Sequence, residues 1–314
     1  MALDLGPVLE LGRARVKVGT CSWTDATLVK ETEWYPKRSM KAAERLAYYA
    51  ARFPVVETDS TYYFPPTPEL AASWVDRTPP GFTMNVKAWS LLTGHPTFQH
   101  SLWPDLQGEV PAEHRDKRRL YANHLPPDVL DEAFARFRHA LLPLAEAGKL
   151  GAILLQYPRW FTPKEDTKAE ILAARQRLPD MTLCVEFRNG RWLTAAQCED
   201  TLEFLENLGM AFVCVDEPQG FDSSLPPVVA ATADLAVVRF HGRNTSTWEE
   251  STDTAAERFK YRYSDDELTE WVPRVQELAD SASEVHVLMN NCWRDDAVVN
   301  AAQLAGMLTG DRVD

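Results

Sequence analysis

Eight short β-type runs, most of them separated by helical patterns, constrain this chain more than any other feature. They cover residues 16–20, 55–59, 82–87, 153–156, 183–186, 212–216, 237–241 and 285–291. They close on Thr20, Asp59, Lys87, Gln156, Glu186, Asp216, His241 and Asn291. Strands that alternate with helices build a parallel sheet. Eight such units point to a closed barrel rather than an open sheet. No G-x-G-x-x-G follows any strand, so a dinucleotide-binding open sheet lacks its phosphate loop. The expectation is a single TIM-type (β/α)8 barrel domain over residues 1–314, with its core at about 16–308. In such a barrel the C-terminal strand ends share one face, and that face carries the chemistry.

The totals agree with one large domain. A chain of 314 residues with 45% hydrophobic content can bury a real core. The net charge of −13 favours solubility and works against broad, non-specific coating of nucleic acid, though a local basic groove stays open. The five cysteines, Cys21, Cys184, Cys198, Cys214 and Cys292, are odd in number and show no C-x-x-C spacing. A reducing cytoplasm is therefore expected, with no disulfide framework or zinc ribbon. The first residues lack a basic segment before an apolar stretch, unlike a signal peptide. No apolar run approaches the roughly 18 residues of a membrane helix, so no membrane partner is expected.

Local signals punctuate the helices. Ser39 reads as an N-cap, and so does Thr67, with Pro68 behind it. Thr162-Pro163-Lys164-Glu165 and Ser264-Asp265-Asp266-Glu267 read as capping boxes, the second opening a helix through Leu268, Trp271, Val272 and Val275. Gly209 ends a helix over 195–208. The rhythm breaks after the third strand. Residues of about 88–128 form a long insertion, rich in proline and glycine, with a charged run at 113–119. An insertion of that length after a strand reads as a lid or substrate-binding loop over the site face, or else as a passive excursion.

Strand parity sorts the strand-end residues, because positions two apart share a face. Cys184 then lies under Glu186, Cys214 under Asp216, and Arg239 under His241. Barrel filling explains both cysteines. Cys21 and Cys292 end neighbouring strands, and two thiols alone make a poor metal site. Glu57, Asp59, Glu186 and Asp216 share the inferred mouth with Lys87, Arg239 and His241. They form either an ion-pair network that closes the barrel or a set that meets substrate charge and moves protons. Lys87 is expected to bind an anion or pair with Glu57, and a lowered pKa would let it act as a base. One strand-end histidine, His241, with several carboxylates could hold Mg²⁺ or Mn²⁺, while no H-x-x-x-H spacing supports Zn²⁺; the expectation is a site with no metal and no cofactor. His241-Gly242-Arg243-Asn244 follows strand seven, where such barrels cradle phosphate; an ordinary polar turn is the alternative. Aromatics recur just past strand ends, among them Trp23, Tyr62, Tyr63, Phe64, Trp160 and Trp248. Together they suit an aromatic-walled cleft that stacks a sugar or nucleobase.

An ordered set of motifs carries a resemblance. It comprises Gly19-Thr20-Cys21-Ser22-Trp23, Val56-Glu57-Thr58-Asp59-Ser60-Thr61-Tyr62-Tyr63 and Phe82-Thr83-Met84-Asn85-Val86-Lys87-Ala88. Gln156-Tyr157-Pro158, Val185-Glu186-Phe187-Arg188, Val238-Arg239-Phe240-His241-Gly242, Tyr263-Ser264-Asp265-Asp266-Glu267-Leu268 and Asn290-Asn291 complete it. The chain resembles the YecE-like family, also called domain of unknown function 72, over about residues 16–308. The resemblance implies a TIM-type barrel similar to those of endonuclease IV and xylose isomerase, whose multi-metal ligand sets have no evident counterpart here. It implies no particular activity. Cys21-Ser22, Asp59 and the long insertion depart from the family pattern.

The leading expectation is a metal-independent enzyme, a hydrolase, lyase or isomerase. It would act on a small polar, anionic or sugar-like substrate, which is also the expected partner. Glu57, Glu186, Lys87 and His241 are the catalytic candidates. Trp23, Asp59, Tyr62, Gln156, Arg188, Asp216, Arg239, Arg243, Asn290 and Asn291 are the substrate-binding candidates. The alternative is a nucleic-acid-binding or phosphodiester-processing protein, by analogy to endonuclease IV-like barrels and with support from the basic run at 115–119. A catalytically silent binding or scaffold protein is a third reading.

Overall fold

The computed structural model describes residues 5–249, 257 and 259–310. Readings that fall on residues 1–4 or 311–314, the ends of the expected domain and the start of the chain, lie outside the described residues. Eight parallel strands close a barrel: β1 (Ala14–Thr20), β2 (Val55–Thr58), β3 (Thr83–Lys87), β4 (Leu150–Gln156), β5 (Leu183–Glu186), β6 (Ala211–Asp216), β7 (Leu235–Phe240) and β8 (Glu284–Met289). Closure comes from β1, which pairs β8 along its length and β2 at Gly19 and Thr20. The expected eight-stranded TIM-type barrel is the observed fold. A short strand, Leu9–Leu11, runs antiparallel to the first part of β1, where β2 does not reach.

The strands form because short aliphatic runs are buried on both faces, by the barrel interior and by the helix layer. Gly19 lets β1 approach β2 closely, since a Cβ there would lie 2.0 Å from the Val55 carbonyl oxygen.

One irregularity matters for the site. Between β3 and β4 the register steps from Met84↔Leu150 to Val86↔Ile153, so β4 carries one extra residue, a β-bulge. Asn85 Oδ1 accepts the Ala152 N–H at 3.1 Å, which occupies the backbone donor that the bulge frees. Gly151 faces the interior before the bulge, where a Cβ would meet Asn85, Thr83 and His286 side chains. After it the parity reverses, and Gln156 faces inward beside Glu186.

Several helix boundaries differ from the sequence reading. The first long helix starts at Ala42 rather than just after Ser39, because the Glu44 carboxylate accepts the Lys41 N–H at 2.6 Å. The Thr162–Glu165 box is not the cap itself. The helix is Glu165–Arg177, and Thr167 Oγ1 accepts from Lys164 N–H while donating to the Thr162 carbonyl. Thr67 and Ser264 cap as expected. The helix before Gly209 is Cys198–Asn207, and Gly209 takes a φ of +60°. The helix expected through Trp271 is two, Asp265–Thr269 and Val272–Ser281, because Pro273 lacks an N–H and suits a first turn rather than an interior.

The insertion is ordered. A two-stranded antiparallel ribbon, Thr97–Phe98 with Arg119–Leu120, ties its ends together. Within the insertion, fully buried Trp89 packs edge-on against Trp103 at 5.5 Å.

Candidate functional site

The centre of the mouth is Arg239, an inward residue of β7 with no exposed surface. Its guanidinium donates to Glu57 Oε1 at 2.6 Å and to Glu186 Oε2, and its NH2 lies 3.8 Å from Asp59. These partners come from β2 and β5, so one side chain ties opposite walls of the barrel. Three charges with no water contact persist only when paired. The pairing is unequal. Burial pushes the Glu57 carboxyl up to about 7 despite the pull of Arg239, and its Oε2 has no hydrogen-bond partner. Burial also acts on Glu186, but Arg239 outweighs it and holds that carboxyl well below the usual range.

Glu186 organises the next layer. Its Oε1 accepts from Gln156 Nε2 at 2.7 Å and from Arg188 NH1 at 3.2 Å. Arg188 also donates to Glu217 at 2.8 Å, and burial raises Glu217 to about 7. His241 Nε2 lies 3.1 Å from Glu186 Oε1, an ion-pair distance without hydrogen-bond alignment. The Asn290 amide nitrogen is 2.8 Å from His241 Nδ1. An amide N–H donates, so Nδ1 accepts and the ring proton sits on Nε2. Burial pushes His241 down to about 4, which leaves the ring neutral at pH 7.

Above this layer lies a cavity of about 670 Å³. Asp59, Lys87, Gln156, Arg188, His241 and Asn290 line it. Lys87 Nζ stands 3.6 Å from Asp59 and 5.1 Å from the Tyr62 ring, so its partner is Asp59 rather than the expected Glu57. Arg188 lies over the Trp248 ring at 4.6 Å. Cys21 and Cys292 both reach the wall; burial raises both thiols, which keeps them protonated. The insertion contributes His95, which burial, Lys87 and Arg188 lower to about 3. The run 115–119 does not reach the cavity.

Glu57, Glu186 and Arg239 lie beneath the cavity lining instead of in it. Asp216 and Arg243 are not brought to the mouth at all. Cys214 and Asp216 share a face, as parity requires, but it is the outer one. Asp216 accepts from Tyr263 OH at 2.6 Å, Trp271 Nε1 at 2.7 Å and Arg243 NH2 at 2.7 Å. Arg243 also meets Glu270 at 2.9 Å, so the turn after β7 is internally satisfied and presents no open arginine fork. Gly242 N–H donates to Tyr263 OH at 2.9 Å in the same knot. Asn291 also points outward, donating to the Tyr261 carbonyl and to Asn300 Oδ1. Trp23 packs edge-on against Trp74 at 6.3 Å, outside the cavity lining. Sequence reasoning passed over Glu217, which takes the inward position one residue beyond Asp216, and Arg159 beside Trp160. Among the described residues no group of three or more His, Cys, Asp or Glu side chains is placed to hold a metal ion. No helix among them is long and apolar enough to cross a membrane.

Comparison with known proteins gives a consistent result. The family described as "Protein of unknown function DUF72" matches residues 17–313. The UPF0759 protein YunF of Bacillus subtilis (strain 168) is 30% identical over 297 residues, covering 93% of this chain and 94% of that protein. A crystal structure of a DUF72 family protein from Thermotoga maritima MSB8 superposes with a TM-score of 0.73 at 31% identity, over 94% of this chain and 99% of that one. One from Enterococcus faecalis V583 gives 0.74 at 26% identity, over 94% and 95%.

Proposed function

We propose that this protein, which belongs to the DUF72 family, is an enzyme that transforms a small polar, anionic or sugar-like substrate by proton transfer in the mouth cavity. The supporting observation is convergence. Asp59, Lys87, Gln156, Arg188, His241 and Asn290, drawn from six different strand ends, meet around one cavity over a fully buried Arg239. Charges concentrated at a barrel mouth contribute little net stability, and such clusters mark sites that handle substrate charge. Lys87 and Arg188 meet a carboxylate or phosphate. Trp160 stacks against a ring, and Trp248 backs the Arg188 guanidinium. Asp59 takes a proton, with Lys87 at 3.6 Å to steady the charge that develops. Hydrolases, lyases and isomerases share such a step. Glu57 and Glu186 act from below, by setting the charge and placement of these groups.

Thermal-shift measurements test this reading, because a ligand that binds the native state raises Tm. A panel of sugars, sugar phosphates and dicarboxylates is screened against the wild type, Lys87→Met and Arg188→Met. A shift from an anionic sugar-like compound, lost in both variants, is expected. If no compound shifts Tm, or the shift survives both substitutions, the reading fails.

A further inference from the structure

The mouth cavity does not end at its rim. Among the described residues, the Trp, Tyr and Phe side chains more than half exposed are Tyr63 (52%), Phe64 (52%) and Trp160 (55%). All stand at one edge of this cavity: Tyr63 and Trp160 line it, and Phe64 follows Tyr63. They belong to two groups of neighbouring rings that are joined through the consecutive residues Tyr63 and Phe64. On the cavity side, Trp160 neighbours His95 at 6.1 Å, and Tyr62 neighbours both His95 and Tyr63 at 5.2 Å. On the outer side, Phe64 meets His100 at 5.7 Å, and His100 stacks on Phe98 at 5.2 Å. The strip ends under two guanidiniums, with Arg119 4.6 Å and Arg118 5.3 Å from the Phe98 ring.

Charge identifies the occupant. Arg118, Arg119 and, at the cavity end, Arg159 are exposed. Among the described residues none of the three has a carboxylate partner; even Glu113 and Asp116, their nearest acidic neighbours in sequence on the insertion, do not pair with them. In a chain of net charge −13, three unpaired arginines along one row of exposed rings form a local reversal of sign. Flat ligand faces alternating with regularly spaced anions match such a row. Single-stranded nucleic acid has that chemistry: bases stack on rings and phosphates meet arginines. A duplex hides its base faces, and a neutral glycan leaves the arginines unused.

We infer that this strip, built by the insertion and the loops after β2 and β4, binds a single-stranded oligonucleotide along its length. The strip's inner end shares Tyr62, Tyr63, His95, Arg159 and Trp160 with the cavity, whereas Phe64, Arg118 and Arg119 lie outside its lining, so substitutions there test this inference without touching the acid/base reading.

Fluorescence anisotropy with a labelled oligothymidylate of about a dozen nucleotides tests it, at salt levels of about 50 and 200 mM. Binding should weaken steeply with salt. The double variant Arg118→Ala/Arg119→Ala should lower the slope of log affinity against log salt by about 1.4, the value for two phosphate contacts on a single strand. Phe64→Ala should weaken binding roughly fivefold or more with the slope unchanged, which is the signature of a lost stack. All three positions are exposed, so the fold is retained, and unchanged Tm values verify that. Heparin supplies charge without bases and should show no Phe64 dependence. No binding at the lower salt overturns the inference. So does binding indifferent to either variant, or equal Phe64 dependence for heparin or for the matching duplex.

Discussion

Replacing Glu57 by glutamine tests whether the buried layer is held against an electrostatic cost. The wild-type carboxyl sits near 7 in the folded protein because burial outweighs Arg239, against an ordinary value of 4.5. A carboxyl raised in this way stays protonated longer in the native state than in the unfolded one. Its contribution to stability is complete below about 4.5 and is lost as pH rises through about 7. Each pH unit between those values is worth about 1.4 kcal/mol, so the wild type gives up about 3 kcal/mol across the window. Glutamine has the shape of the protonated acid and never ionises. Glu57→Gln should therefore match the wild type near pH 4.5 and exceed its stability by about 3 kcal/mol at pH 8. Urea unfolding of both proteins at several pH values gives the difference directly, provided the m-values agree. A difference that is flat in pH refutes the argument. A wild type more stable than the variant at pH 8 also refutes it, since the Glu57–Arg239 pair would then be net stabilising.

Two more substitutions separate scaffold from site. Asp216→Ala leaves the Tyr263 hydroxyl and Trp271 indole N–H without their acceptor in a buried knot and should cost about 3 kcal/mol in urea unfolding. Any ligand-induced Tm shift at the cavity should persist in that variant, and its loss would show that Asp216 serves the site. At the opposite end of the barrel, buried Lys17 donates to Glu284 at 2.5 Å and to Thr83 at 2.7 Å. Glu284 is held at about 2: burial opposes this, and His286 and Lys17 outweigh it. That stability is present above about 4.5 and lost as pH falls through about 2, so Lys17→Met should cost about 2 kcal/mol at neutral pH. Its deficit should shrink on acidification; a constant deficit would place the cost in packing alone.

The barrel and its mouth were legible because strand ends and helix caps are local signals. Which strand-end residues face inward was only partly legible. Parallel barrel strands are apolar on both faces, so hydrophobic alternation does not fix their phase. For β5, β7 and β8 the polar residues Glu186, Arg239 and Asn290 fall on the inner face. For β6 the same reasoning picks Asp216, yet Val213, Val215 and Glu217 hold the inner positions and Asp216 faces Trp271. Gln156 reaches the mouth only because the bulge between Leu150 and Ile153 reverses parity, and a single extra residue leaves no mark in composition. The arginine and glutamate of the floor were visible as charges. Their burial beneath the lining, rather than in it, follows from the depth of the barrel, which the sequence pattern does not encode.

That depth explains how the mouth is organised. Glu186 receives Gln156 from β4 and Arg188 from just beyond β5, and stands within 3.1 Å of His241 just beyond β7. Fixing a glutamine or arginine side chain costs up to about 2 kcal/mol of rotamer entropy. A hydrogen bond to an ionised carboxylate contributes about 1.5–3 kcal/mol, enough to offset that cost for each partner. The offset requires Glu186 to remain ionised, and Arg239 keeps it so against its burial. Arg239 also donates to Glu57, whose carboxyl stands at the edge of its own titration. The floor therefore converts buried charge into fixed side-chain geometry. Gln156, Arg188 and His241 stand in place before any ligand arrives, and binding there carries no ordering penalty for them.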